Sequence, residues 1–413
     1  MTDTPAEELD AFQAFNRAMG AGKITNPYPS FAAMREQGVT PADVRQLLGL
    51  DPDAELDFDE SEAPKLFTVS SYDAVQEVLR DGERFSSTGY AEVMGAVMGH
   101  TILEMDEPEH HGYRSIMQQA FSRKAMEQWE AELVHPIVDE LIDRFIDKGR
   151  AELVSELFFP FPVNVIAGLL GLPREDLPDF HRWTVELISV SIDMFMALGA
   201  SKKLEEYLLP YVAERRGNPG QDMISVLAQA EHDGQRLTDA EIIAFCRLLL
   251  PAGAETTYRS SSNLFCGLLT HTDQLEQLRA DRSLIPNAIE EGLRWEPPLL
   301  TILRTVTRDT TVAGVELAAG TALVVNLGAA NHDDSRWVNA DDLDINRQQT
   351  AHIAFASGPH MCLGMHLARM ETKVVIDRLL DRLPNVRFDP EAGTPTITGM
   401  TFRAPLRLDV LFD

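Results

Sequence analysis

The sequence predicts a mainly α-helical protein with small β-sheets. Three observations carry this. Long stretches place apolar residues at helical spacing and are rich in helix formers. Short β-like runs are few. No alternating βαβ pattern supports a doubly wound sheet. Taken in order, the first feature is Asp51–Glu62 (DPDAELDFDESE), with seven acidic residues in twelve, read as a solvated insertion or loop. Lys65–Val69 follows as a strand and Tyr72–Arg80 (YDAVQEVLR) as an amphipathic helix. Arg123–Asp147 and Asp273–Trp295 carry the same helical spacing. In Asp239–His271, Thr238 with Glu241 forms a capping-box signature ahead of the apolar run IIAFCRLLL. Thr310–Val315, Thr321–Asn326 and Pro405–Phe412 read as strands. Within GVELAAGTALVVN, Gly320 suggests a hairpin closing just before the second strand.

At 413 residues the chain is long enough for two or three domains. No Pro/Gly/Ser linker divides it, so residues 1–413 are read as one domain. Apolar residues make up 44% and charged residues 24%, enough for an ordinary core. The formal charge of −29 argues against a nucleic-acid partner, whose protein footprint is basic, and against charge-driven docking on anionic membranes. No apolar run approaches the roughly 18 residues that span a bilayer. The first ten residues lack the basic and apolar regions of a signal peptide. Three cysteines, Cys246, Cys266 and Cys362, make a poor disulfide framework. Together these predict a cytoplasmic protein.

Two segments break local rules. Pro251 interrupts an apolar helix, where it removes a backbone hydrogen bond and should bend the axis. Gly253, Glu255, Thr256 and Thr257 follow at once. The second segment is Ala354–Arg369, AFASGPHMCLGMHLAR. Its skeleton is Phe355-x-x-Gly358-x-His360-x-Cys362-x-Gly364. The first half is a tight loop and the second begins an amphipathic helix, so Cys362 sits at a loop-to-helix junction. Free N–H groups and the helix dipole stabilise a thiolate there. Three readings stay open: an inert buried cysteine, a zinc site with His360 and His366, and a thiolate ligand to haem iron. At roughly 5% usage per residue, the five fixed positions match by chance on the order of 10⁻⁴ times in a chain this long.

The cysteine stretch resembles that of the cytochrome P-450 haem-thiolate monooxygenases, in particular the soluble bacterial kind. Other stretches resemble the family's in its own order. Ala252–Thr257 (AGAETT) is similar to the oxygen-activating motif, and Glu291-Gly292-Leu293-Arg294 to the ExxR motif. DEPEH with Arg114 is similar to the propionate-binding segment, and NHDDSRW, NPYPSF and FSS fit as well. The resemblance implies a triangular-prism fold, with haem b between a long kinked distal helix and a proximal helix. It implies Cys362 as iron ligand, with Phe355 and Gly364 beside the sulfur. His110, Arg114, Arg304 and His360 are implied to hold the propionates. Glu255 and Thr256 are implied to relay protons, Thr256 nearer the oxygen and Glu255 as the link toward solvent. Glu291 and Arg294 are expected to be structural. Family position places Val93, Met94, Val97, Leu249, Ala252, Leu300 and Met400 against a mainly hydrophobic small-molecule substrate.

The implied activity is O2-dependent hydroxylation or oxidative dealkylation. The chain carries no flavin, nucleotide or iron–sulfur signature, so electrons are expected from a ferredoxin and its reductase. Arg123, Lys124, Arg369 and Lys373 are candidates for the docking patch. A peroxide-driven peroxygenase and a non-catalytic haem-binding sensor are the rival readings, and the Glu255–Thr256 pair weighs against both.

Overall fold

The computed structural model describes residues 16–17, 21–43, 65–189 and 193–413. The acidic stretch 51–62 lies outside them. Helices dominate, with small sheets at the periphery. The helix Tyr72–Arg80 buries Tyr72, Ala74, Val75, Val78 and Leu79, one stripe at helical spacing. Its first N–H groups need an external acceptor. The Asp333 carboxylate supplies one, accepting the Tyr72 N–H at 2.9 Å. Arg336 of the same NHDDSRW stretch lies 4.1 Å over the Tyr72 ring.

The main sheet uses β1 (Val39–Pro41), β2 (Leu66–Val69), β3 (Phe85–Ser86), β4 (Thr301–Val306) and β7 (Ala322–Asn326) in the order β1-β2-β7-β4-β3. β7 pairs parallel with β2 and antiparallel with β4, where Leu323 faces Arg304. The expected hairpin is corrected here. β5 (Thr310–Val312) and β6 (Val315–Leu317) form the hairpin, turning through Ala313 and Gly314. Both turn residues have positive φ, 46° and 79°, as the tight two-residue turn requires. Gly320 ends the following loop, and β7 leaves to join strands far away in sequence. The expected Asp273–Trp295 helix is also two pieces, Thr272–Ala280 and Ile285–Trp295. Asp281 breaks it, its carboxylate capping Ser283, and Pro286 restarts the second piece.

The long helix begins with the capping box at Thr238 and Glu241. It runs as Asp239–Leu250, one π-helical turn over Pro251–Glu255, then Thr256–Thr270. Pro251 has no N–H to keep the regular ladder, so the register slips by one residue there. The cysteine helix, Met365–Arg382, packs across it. The Ser261 and Thr372 hydroxyls meet at 3.2 Å, and the Thr257 hydroxyl bonds the Glu371 carboxyl.

Glu371 is 2% exposed, and its Oε1 has no partner. Burial pushes its pKa up to about 8. The folded state therefore binds this proton more tightly than the unfolded chain does. That contribution is complete below about pH 4.5 and lost as pH rises through about 8, at most roughly 5 kcal/mol. Glu371→Gln removes the titration. Its melting temperature is expected to match wild type near pH 5 and exceed it increasingly toward pH 9. Parallel curves across that range would exclude a neutral Glu371.

Candidate active site

Between Ile242 and Leu269 the kinked helix is buried except at Pro251, Ala252, Gly253 and Thr256. Ala252 and Thr256 are four apart, one face of a helix. The otherwise buried central helix thus has one bare patch, at its kink. The Thr256 hydroxyl donates to the Ala252 carbonyl at 2.7 Å, filling an acceptor where the backbone register shifts. Glu255, beside it, is 1% exposed. Arg259 Nε and Nη2 both donate to its Oε2, at 3.0 and 2.7 Å. Burial pushes the Glu255 pKa up and the Arg259 guanidinium pulls against it. The Glu255 carboxyl thus lies in the core against Arg259, out of direct contact with solvent. The pairing is an i,i+4 contact on the same helix.

The cysteine loop is built around Gly358, whose φ is +76°. A Cβ there would lie 2.4 Å from the Leu79 carbonyl oxygen, so only glycine lets the loop press onto the helix Tyr72–Arg80. The Arg80 side chain holds the adjoining Ser357 hydroxyl at 3.1 Å. The Cys362 N–H donates to the Phe355 carbonyl at 2.9 Å, closing the loop. Cys362 is half-buried. Burial pushes its thiol up, while the Gly364 N–H, Arg114 and Arg369 pull it down. Cys246 and Cys266 differ: burial raises both to about 12 with no such set of donors. Leu363, Gly364 and Met365 are only half-buried, and Leu367 of the first turn of the cysteine helix is buried. His366 points outward from that turn, and no three metal-ligating side chains converge among the described residues.

Four basic side chains gather near this loop. His110 is 1% exposed; its Nδ1 meets Glu107 at 3.1 Å and its Nε2 has no partner. The His110 and His360 rings stack at 4.1 Å. Burial lowers both, His360 to about 3, while the Glu107 carboxylate pulls His110 back upward. Arg114 donates to the Met361 carbonyl. Arg304 sits on β4, 5% exposed, bonded only to the Leu303 carbonyl, with no carboxylate in ion-pair range among the described residues. Tyr90 fixes that strand by accepting the Leu303 N–H at 2.9 Å. A buried guanidinium and an orphaned imidazole nitrogen, close to a thiol loop, lack an anion.

Residues 63–402 match the family model described as "Cytochrome P450". The chain belongs to the cytochrome P450 family. It is 34% identical over 391 residues to a putative cytochrome P450, YjiB, of Bacillus subtilis, covering 92% of this chain and 93% of that one. It is 33% identical over 354 residues to a steroid C26-monooxygenase of Mycolicibacterium smegmatis, covering 84% and 88%. The crystal structure of CYP109E1 from Bacillus megaterium with testosterone superposes with a TM-score of 0.81 at 32% identity, covering 94% and 99%. The P450 fold is therefore shown, and the protein is an oxidoreductase of the monooxygenase class that uses haem iron, O2 and a small-molecule substrate. No described helix is long and apolar enough to cross a membrane.

The P450's own residues fit the haem group. Arg304 and the free His110 nitrogen suit propionates, Cys362 suits the iron, and a Cβ on Gly364 would meet nothing within 4 Å. His360 departs from the simple expectation: its ring already engages the Ser87 hydroxyl at 3.2 Å and the Met105 backbone.

The expected substrate residues divide. Ala252 is exposed on the bare patch; Leu249 and Met94 border on the core with little surface. Val97 and Leu300 are corrected to packing residues, both fully buried, Leu300 against Phe31 and Ala329. Met400 lines a narrow cleft with Phe31 and Met34. Val93 lies in the helix Gly89–Met98, its side chain outside the described residues.

Arg123 pairs with Glu127, Lys373 with Glu130, and Arg369 twice with Glu290 while covering the Phe355 ring at 4.5 Å. Only Lys124 of the four has no ion pair among the described residues.

The P450's ExxR pair is buried: Arg294 donates to both oxygens of Glu291, at 2.8 and 2.7 Å. Arg347, absent from the sequence reading, donates to Glu291 at 2.9 Å and to three carbonyls, those of Val338, Asn339 and Asp342. Its only signal was an arginine in the loop before the cysteine segment.

Proposed function

We propose that one domain, residues 1–413, acts in the cytoplasm as a haem b monooxygenase that hydroxylates or oxidatively dealkylates a mainly apolar substrate. Two relatives, one named for a steroid and one bound to testosterone, favour a compact polycyclic skeleton. Cys362 would hold the iron, with the Gly364 N–H tuning the sulfur. Arg304, Arg114 and His110 would hold the propionates, and His360 would support them through Ser87. Haem, when bound, supplies oxygen activation. Ferredoxin with its reductase is the electron donor this reading prefers. It would engage Lys124 and the half-exposed cysteine loop rather than a broad basic patch.

The observation that carries the reading is the half-exposed Thr256 hydroxyl on the bare patch, one residue from a buried carboxylate. The π turn holds the hydroxyl on the bare patch, and the packed helix on either side would exclude bulk water. Glu255 holds the proton and Thr256 passes it inward. Thr256→Ala keeps the fold and removes the hydroxyl. Product formation is expected to fall by up to about 100-fold, with continued O2 consumption and release of hydrogen peroxide. Full coupling in the variant would sink the relay. Peroxide-driven product with no O2-driven product in either protein would favour the peroxygenase.

A further inference from the structure

The Glu255 carboxylate is held from one side only. Both Arg259 donors fall on Oε2, and Oε1 has no partner in a fully buried setting. The same Arg259 Nη2 donates to Asn16 Oδ1 at 2.7 Å. Asn16 comes from the N-terminal region, is 4% exposed and also hydrogen-bonds Tyr258. The guanidinium lies 4.8 Å over the Tyr258 ring and 5.2 Å over the Phe402 ring. Three distant parts of the chain therefore close around one cation, and that cation donates twice to Glu255 Oε2.

We propose that Arg259 and Asn16 are positioning residues for proton supply. Arg259 fixes Oε2, Oε1 is the oxygen that carries the proton, and Asn16 keeps Arg259 in that geometry. The chemistry favours this division. Two charge-assisted hydrogen bonds neutralise Oε2, so a proton is best placed on the oxygen that lacks a donor. When Oε1 releases its proton toward Thr256, Arg259 stabilises the carboxylate left behind. A solvent proton then restores Oε1, one proton in and one out, with no electron moved. The ionisable groups facing Glu255 are Arg259, which favours its charged form, and Tyr258. Without a correctly placed Arg259, burial acts on Glu255 unopposed and the acid holds its proton more tightly. The inference rests on Glu255 as the proton donor of the proposed reaction.

The test uses the holoenzyme with Glu255→Gln, Asn16→Ala and Arg259→Gln. Infrared spectroscopy of the resting protein follows the protonated-carboxyl stretch, assigned to Glu255 by its loss in Glu255→Gln. With rising pH this band is expected to disappear at least one pH unit later in Asn16→Ala and Arg259→Gln than in wild type. The pH dependence of coupling should move the same way. Asn16→Ala keeps the test open if Arg259→Gln fails to fold, because it leaves the ion pair's charges in place. A fully coupled Glu255→Gln would overturn the proton-donor reading itself. An uncoupled Glu255→Gln together with a wild-type band and coupling profile in Asn16→Ala would overturn this inference alone.

Discussion

Glu291→Ala is expected to leave little folded protein. Glu291 is 1% exposed and is the one carboxylate facing two arginines, Arg294 and Arg347. Its Oε1 also accepts the Asp344 N–H at 3.0 Å. Arg294 in turn holds the carbonyls of Asn331, Ala340 and Asp342. The triad therefore ties the helix Ile285–Trp295 to the irregular segment leading to the cysteine loop. Removing the acid strands the buried Arg294 and the partly buried Arg347, at a cost of about 3–5 kcal/mol for a broken buried pair. Against a usual total of about 5–15 kcal/mol, that loss is severe. Arg347→Leu leaves the Glu291–Arg294 pair intact and should cost less. Urea unfolding midpoints for Glu291→Ala, Glu291→Gln and Arg347→Leu check the order, with Glu291→Ala lowest. Equal midpoints for Glu291→Ala and wild type would exclude a stabilising role for the triad.

What the sequence made legible follows from range. Tyr72–Arg80 and the capped helix at Thr238 rest on periodicity and caps, which are local. The kink was readable because proline has a single backbone consequence. The hairpin was misplaced because Gly314 and Gly320 are both turn signals. Only tertiary pairing decides between them, and β7 pairs with β2 across more than half the chain. The site shows the same split. Cys362, Glu255 and Thr256 stand in short motifs. Arg259 was readable in principle, four residues after Glu255 on one helix, but such pairs are usually solvated. Asn16 and Arg347 were not readable, because each acts on a residue far away in sequence. Val97 and Leu300 show the limit of carrying residues over by family position: an apolar side chain packed in the core and one lining a pocket look identical until the fold is known.

Cys362→Ser is expected to separate chemistry from fold. The side chain is half-buried and its backbone N–H, not its sulfur, closes the loop on Phe355. Oxygen in place of sulfur should therefore change stability by less than about 1 kcal/mol. The ligand field changes far more. A serine hydroxyl ionises much less readily than a thiol. The Gly364 N–H and the two guanidinia that favour a thiolate cannot make an equivalent alkoxide at neutral pH. The soft, electron-rich donor that Cys362 would offer the iron is lost. Reduced wild-type protein treated with carbon monoxide is expected to show the strongly red-shifted Soret band of a thiolate ligand. Cys362→Ser should lose that band completely, and with it O2-dependent product formation, while melting within a few degrees of wild type. Cys246→Ser and Cys266→Ser should keep it, since those thiols are sealed in the core and carry no donor set. An unchanged band in Cys362→Ser would remove Cys362 as the ligand. Loss of the band in all three variants would mean that it reports general damage rather than ligation.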